Sequence, residues 1–483
     1  MTSSLQSPVI IWFRRDLRLG DNPALSAALQ TGKPVICLFI ADRSVDEMGA
    51  CPKWRLGLSL ESLRSDIEAL GARLVLRAGP ALEVLEDVIA QSGADALHYA
   101  REYTPFAIAR DTEIKSVLSE QGVEVTSHNG SLLFEPWTVQ NGAGSFYKVY
   151  TPFWKAVRDR DVPPLLERPS TLPAYQGELA SENLSDWNFA AAMNRGVDVV
   201  KAHICVGEAA AQKRLDDFCA SRIGAYKAER DRMDIGATSR LSENLAYGEI
   251  SPRTLWHQGY SAMSSGAAGA EHFLKEVVWR EFAYNLIFHS PHILSDNWKE
   301  GFDAFPWRED NADAEAWRRG ETGEPVVDAA MREMYVTGTM HNRSRMIVAS
   351  YLTKHLMVHW KVGKAWFEKC LIDWDPASNA MGWQWVAGCG PDASPFFRIF
   401  NPETQGEKFD PLDIYKSRFL DVSNAEAKSY YDAIPRSWEM SPDDPRPERM
   451  VELKDGRDRA LAAYKAYTTP GQEEAAQERS VSA

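Results

Sequence analysis

The sequence predicts an α/β N-terminal domain, a parallel sheet with flanking helices, followed by a long linker and an all-α C-terminal domain. Three observations carry this reading. Strand and helix patterns alternate through residues 1–130, as parallel βα units require. Proline, glycine, serine and asparagine then break the pattern over 131–205. From Gly207 the apolar spacing is helical almost to the end.

The elements follow in order. PVIIWF (8–13) is a short apolar run and reads as a buried strand. DNPALSAALQTG reads as a helix with Asp21 or Asn22 as N-cap, Pro23 in its first turn and Gly32 at its end. PVICLFIAD, RLVLRAG, DALHYAREY and VEVTSHN read as four further strands. LGLSLESLRSDIEALGA, ALEVLEDVIAQSGA and AIARDTEIKSVLSEQG read as the helices between them. Pro163, Pro164, Pro169 and Pro173 mark 131–205 as a surface connector. Helices are expected over GEAAAQKRLDDFCASRIGAY, EHFLKEVVWREFAYNLIFH, PVVDAAMREMYVTG and HNRSRMIVASYLTKHLMVHW. The domains are therefore placed at 1–130 and 206–470, with a polar, fraying tail at 471–483.

Of the 483 residues, 44% are hydrophobic and 25% charged, as in a globular enzyme. No apolar run is long enough for a membrane span, and MTSSLQSPVIIWF lacks the layout of a secretory signal. The six cysteines form no CxxC and no zinc spacing, so reduced thiols in a cytoplasmic protein are expected, with no metal. A formal net charge of −14 argues against loose polyanion binding while leaving room for a local basic groove. No GxGxxG follows the first strand, so a dinucleotide site of the usual kind is not supported.

Five constellations carry possible chemistry. Tyr226 precedes ATSRLSENLAYGEISP, where Thr238, Ser239 and Ser242 could hold phosphate or simply cap a helix. Glu276, Trp279 and Arg280 share a helix face, as a binding wall or as a Glu276–Arg280 ion pair beside a stray ring. Asn342, Arg345 and Met346 share another face; Arg345 could meet Asp373 or Asp375, and Asn342 could cap its helix. Asp373 and Asp375 flank Trp374, with Asn379 in a loop beyond and Trp383 and Trp385 on opposite sides of GWQW if it is extended. Arg230, Arg343, Phe396, Phe397, Arg398 and Lys408 interleave basic and aromatic groups, as a nucleic-acid face or as solvated surface. Nine of the 16 tryptophans fall between residues 271 and 390, which suggests a flat aromatic ligand and electron movement.

The motifs WFRRDLRLGDNPAL, TSRLS, WREF, HNRSRM, DWDPASN, GWQW and FRIFNP together resemble those of the photolyase and cryptochrome flavoproteins, in order and spacing. LLFEPWTV followed by FWKA is similar to plant cryptochromes and bacterial class III photolyases. The resemblance implies that the helical domain binds FAD through Tyr226, Thr238, Ser239, Arg240, Leu241 and Ser242 at the phosphates. Arg280, Asn342, Arg345, Asp373 and Asp375 would surround the rest, with Asn379 facing flavin N5. It implies a Trp383–Trp360–Trp307 electron row and a pyrimidine-dimer pocket of Glu276, Trp279, Asn342, Met346 and Trp385. Arg230, Arg343, Arg398 and Lys408 would hold flanking phosphates of single- or double-stranded DNA. The implied activity is light-dependent splitting of cyclobutane pyrimidine dimers by a monomer, with a cryptochrome photoreceptor as the alternative. Methenyltetrahydrofolate is the first choice of antenna, although Ala107, Leu294 and Ser295 occupy the positions that hold folate in class I enzymes.

Overall fold

The protein is represented by a computed structural model that describes residues 6–468. The tail expected at 471–483 lies outside the described residues. Five strands, β1 (Val9–Phe13), β2 (Val35–Ala41), β3 (Leu74–Ala78), β4 (Ala96–Ala100) and β5 (Glu124–His128), form one parallel sheet in the order β3-β2-β1-β4-β5. The centre is in register at Ile11, which pairs Cys37 on one side and His98 on the other. Both sheet faces are apolar because helices cover both. Asn22 caps the helix Pro23–Gln30 by accepting the Leu25 N–H, so the second of the two expected caps is used.

The RRDLR turn after β1 is structural. Arg14 pairs with Asp111 at 2.7 Å and lies over the Trp12 ring, while Arg18 donates to Gly130 O and Gly248 O. Arg55 and Glu249, both fully buried, pair at 2.7 Å across the two domains. Tyr247 adds hydroxyl bonds to Pro52 O and Ile372 O. A buried ion pair left half-made is costly, so these contacts hold the helical domain in one orientation on the sheet.

Two expectations about regular structure need correction. The 131–205 segment is no plain connector: it contains the helix Tyr150–Val157, and Leu133 and Phe134 donate their N–H groups to buried Glu281. The helix expected over 341–360 is broken. It runs Asn342–Ser350, passes into a π turn over Tyr351–His355, and a new helix starts at Trp360. The break follows from Lys354, whose buried ammonium donates to Ala387 O at 2.8 Å and so caps another helix. Met357 then takes a positive φ of 57°, and His359 caps the new helix through the Lys361 N–H.

Candidate active site

A cavity of about 820 Å³ opens among the helices Ala270–His289, Asn342–Ser350 and Pro376–Ala387 and the loop 231–241. Helical spacing places Glu276, Trp279 and Arg280 on its wall, and Asn342, Arg345 and Met346 beside them. Tyr226, Thr238, Ser239, Arg240, Leu241, Ser242, Arg230, Arg343, Asp373, Asp375, Asn379, Trp383 and Trp385 line the same space. Arg398, Trp307 and Trp360 do not. Residues as far apart in sequence as Tyr226 and Trp385 thus converge.

The polar wall is ordered by its own bonds. Arg345 holds Asp373 at 2.8 and 3.0 Å and also donates to Met340 O. Asp375 accepts the Tyr284 hydroxyl at 2.5 Å and the Ser378 N–H at 2.8 Å, so it caps the helix that carries Asn379, Trp383 and Trp385. Arg280 donates to Ser131 O at 2.7 Å. Asn379 sits on that helix rather than in a loop, with its amide nitrogen anchored on Lys364 O at 3.1 Å. Arg240 has φ 56°, and it is followed by Leu241 at φ −82°, ψ −3°. Such a left–right pair turns successive N–H groups inward, which suits an anion.

Several readings of single residues change. Glu276 pairs with Arg230 and not with Arg280. Arg230 is only 12% exposed and also lies 3.1 Å from His272, so its nearest partners belong to the cavity wall. Arg343 is committed to Asp231 at 2.7 Å and to the face of Phe409. Arg398 is exposed outside the cavity, beside Phe397, which is 67% exposed, whereas Phe396 is buried. The cap of the Asn342 helix is His341, whose Nδ1 accepts the Arg343 N–H, and this leaves Asn342 exposed at the cavity. Burial lowers the His341 pKa to about 4, and its Nε2 is buried without a partner.

GWQW is helical, not extended. Two helical steps turn about 200°, so Trp383 and Trp385 still face nearly opposite ways. Trp383 is 2% exposed and packs against Phe367 at 4.9 Å, and a Cβ at Gly363 would overlap its ring. Gly363 lies one turn along the helix that begins at buried Trp360. Trp307 meets His359 at 5.5 Å, and His359 meets Trp360 at 5.6 Å. Trp374 lines the cavity and has Arg15 over its ring at 5.2 Å, and Trp366 packs with Tyr335 and Trp438.

Sequence reasoning missed two contributors. Tyr150 stacks on Trp279 from behind, and Gln384, fully buried between the two GWQW tryptophans, ties the 293–298 loop to their helix. Tyr150, Phe153, Trp154 and Val157 do keep helical spacing, but this short helix was hidden inside a segment read as a surface connector. Ala107 is buried in the helix Pro105–Glu120, and Leu294 ends the turn Pro291–Leu294.

The site fits a flavin dinucleotide: a long cavity with hydroxyl and amide donors at one end, fixed carboxylates and guanidinium groups along it, and apolar Leu241, Leu255, Phe273 and Val277 between them. Comparison with known proteins agrees. Residues 9–170 match the DNA photolyase model and 273–466 the model for the FAD binding domain of DNA photolyase. Deoxyribodipyrimidine photo-lyase of Agrobacterium fabrum is 44% identical over 95% of this chain and 98% of that protein. Cryptochrome-1 of Arabidopsis thaliana is 35% identical over 85% of this chain and 62% of that protein. The crystal structure of a bacterial class III photolyase from Agrobacterium tumefaciens superposes with a TM-score of 0.89 at 44% identity, covering 97% of this chain and 99% of that one.

Proposed function

The chain belongs to the DNA photolyase family, and from that premise we propose that its cavity holds FAD beside a pyrimidine dimer turned out of its DNA strand, which light then splits. The carrying observation is that Glu276, Trp279, Asn342, Met346 and Trp385 line the same cavity as the residues fitted to FAD. Excited reduced FAD, when bound, supplies the electron that opens the cyclobutane ring and receives it back.

The protein's part is to bind and to tune. Turning out a lesion that stacks poorly costs only a few kcal/mol. Trp279 and Trp385 would pack on the dimer, and Met346 adds a soft contact. Asn342 can donate and accept at the pyrimidine edges, and Glu276 can accept from an N–H. Arg230 offsets the Glu276 charge, so an electron arriving on the dimer does not face an uncompensated carboxylate. Arg345, Asp373, Arg280, Asp375 and Asn379 would hold FAD along its length, and Tyr226, Thr238, Ser239, Arg240, Leu241 and Ser242 its phosphates. Trp307, Trp360 and Trp383 would carry electrons inward. Arg398 and Lys408 remain as the phosphate contacts outside the cavity. The substrate would be dimer-containing DNA, single- or double-stranded, met by a monomer, with methenyltetrahydrofolate as antenna.

The cryptochrome reading has less support, because a photoreceptor has no use for paired rings at 279 and 385 in a lesion-sized space. No helix among the described residues is long and apolar enough to cross a membrane. The deciding experiment gives the protein, with FAD reduced, dimer-containing DNA under blue light. Thymine absorbance should return, and its failure to do so with FAD bound and reduced would exclude repair.

A further inference from the structure

We infer that Asn297 is a positioning residue for electron flow through the tryptophan row, holding the indole N–H of Trp360 and making that ring the next stop of the hole on its way outward from Trp383. This rests on the proposed Trp383–Trp360–Trp307 row. Trp360 Nε1 donates to Asn297 Oδ1 at 2.8 Å, and Asn297 Nδ2 donates in turn to Asp303 Oδ1 at 2.6 Å. Trp360 is fully buried and Asn297 is 3% exposed. The indole nitrogens of Trp307, Trp366, Trp374 and Trp383 are, by contrast, buried without a partner.

That difference has an electronic meaning. An indole that loses an electron becomes a cation whose N–H is far more polar, so an acceptor stabilises the oxidised ring more than the neutral one. In a dry interior the effect is large, and the Asp303 carboxylate polarises the amide further. Trp360 is therefore easier to oxidise than Trp383, and the hole moves outward. A neutral amide is too weak a base to take the proton, so the positive charge stays mobile and can pass on to Trp307. The electrons balance: Trp383 loses one to the photoexcited flavin, Trp360 refills Trp383, Trp307 refills Trp360, and an external thiol refills Trp307. No bond is made or broken within the row.

The loop that carries Asn297 is fixed to the helix of Trp383. Trp298 N–H donates to Gln384 Oε1 at 2.8 Å, and Gln384 Nε2 donates to Ile293 O at 2.8 Å and Asp296 O at 2.9 Å. A Cβ at Gly390 would press on Gln384, so the chain beyond the helix also closes on it. The donor of the hole and the residue that receives it are thus set by one hydrogen-bonded unit.

The test uses the FAD-loaded protein and three variants. Asn297→Leu should lower the rate of thiol-supported photoreduction roughly tenfold, the effect of losing one charge-assisted hydrogen bond. Asp303→Asn, at an exposed position, should lower it about two- to fivefold by removing the polarising charge. In the dark, the ultraviolet resonance Raman band of indole N–H should shift toward the unbonded position in Asn297→Leu. Trp360→Phe should block photoreduction. Wild-type photoreduction in Asn297→Leu, with Trp360→Phe blocked, overturns the inference alone. Wild-type photoreduction in Trp360→Phe overturns the row itself. If Asn297→Leu fails to hold FAD, Asp303→Asn decides, and an unchanged rate there overturns the inference.

Discussion

Tyr150 lies flat against Trp279, with ring centroids 3.6 Å apart and planes 6° from parallel. Tyr150 is fixed at both ends: its N–H donates to Asp392 at 3.0 Å and its hydroxyl to Lys275 O at 2.6 Å. A wall of the cavity is therefore braced by a residue of the segment between the two domains. Tyr150→Leu should weaken binding of dimer-containing DNA about two- to tenfold, the worth of one aromatic pair, with FAD content unchanged. A titration that gives wild-type affinity would show that Trp279 needs no brace.

Glu276 and Arg230 form a single unit, since each is the other's nearest opposite charge. Glu276→Ala should cut the repair yield about tenfold by removing an acceptor from the lesion wall. It should also cost about 1–3 kcal/mol of stability, because Arg230, largely buried, loses its nearest carboxylate. Adding Arg230→Ala should return part of that stability but none of the repair. Repair yield, FAD content and urea midpoints of the three variants decide it. Recovery of repair in the double variant would mean that Glu276 acts only as a counterion.

Trp383 is the cavity-lining member of the proposed electron row, packed against Gly363 and Phe367. Trp383→Phe should abolish photoreduction of FAD and spare repair once FAD has been reduced chemically. Equal photoreduction in variant and wild type would remove Trp383 from the row.

The domain classes and the order of elements were legible because period and punctuation are local properties of a chain. Glu276, Trp279 and Arg280 were legible as neighbours for the same reason. The partner of Glu276 was not: Arg230 precedes it by 46 residues, and nothing in a helical repeat says which distant guanidinium will close the pair. The break after Ser350 was hidden because HNRSRMIVASYLTKHLMVHW has helical spacing throughout. Its cause is the burial of Lys354 against the end of another helix, a tertiary contact that outweighs local preference. Trp383 and Trp385 were placed on opposite sides on the premise of an extended segment, and a helix gives nearly the same answer because two of its steps make roughly half a turn.

Glu281 offers a test through pH. Burial raises its pKa from 4.5 to about 7, against the opposing pull of Arg280 at 3.6 Å. A folded-state pKa above the unfolded one means that the protonated form is favoured by folding. The contribution is fully present below the unfolded value of about 4.5 and is lost as pH rises through 7. The ceiling on the loss is on the order of 3 kcal/mol. Glu281→Gln stays neutral throughout and keeps an oxygen for the Leu133 and Phe134 N–H groups, now met at 2.8 and 3.2 Å. At pH 5 the gap between variant and wild type should be small, and at pH 8 the variant should be clearly the more stable of the two. Glu324, raised to about 7, and Asp328, raised to about 6, slope in the same direction and remain in both proteins, so some pH dependence persists. Urea midpoints at the two pH values give the difference directly. A gap between variant and wild type that does not widen from pH 5 to pH 8 would show that Glu281 is ionised in the folded protein, with Arg280 as its effective partner.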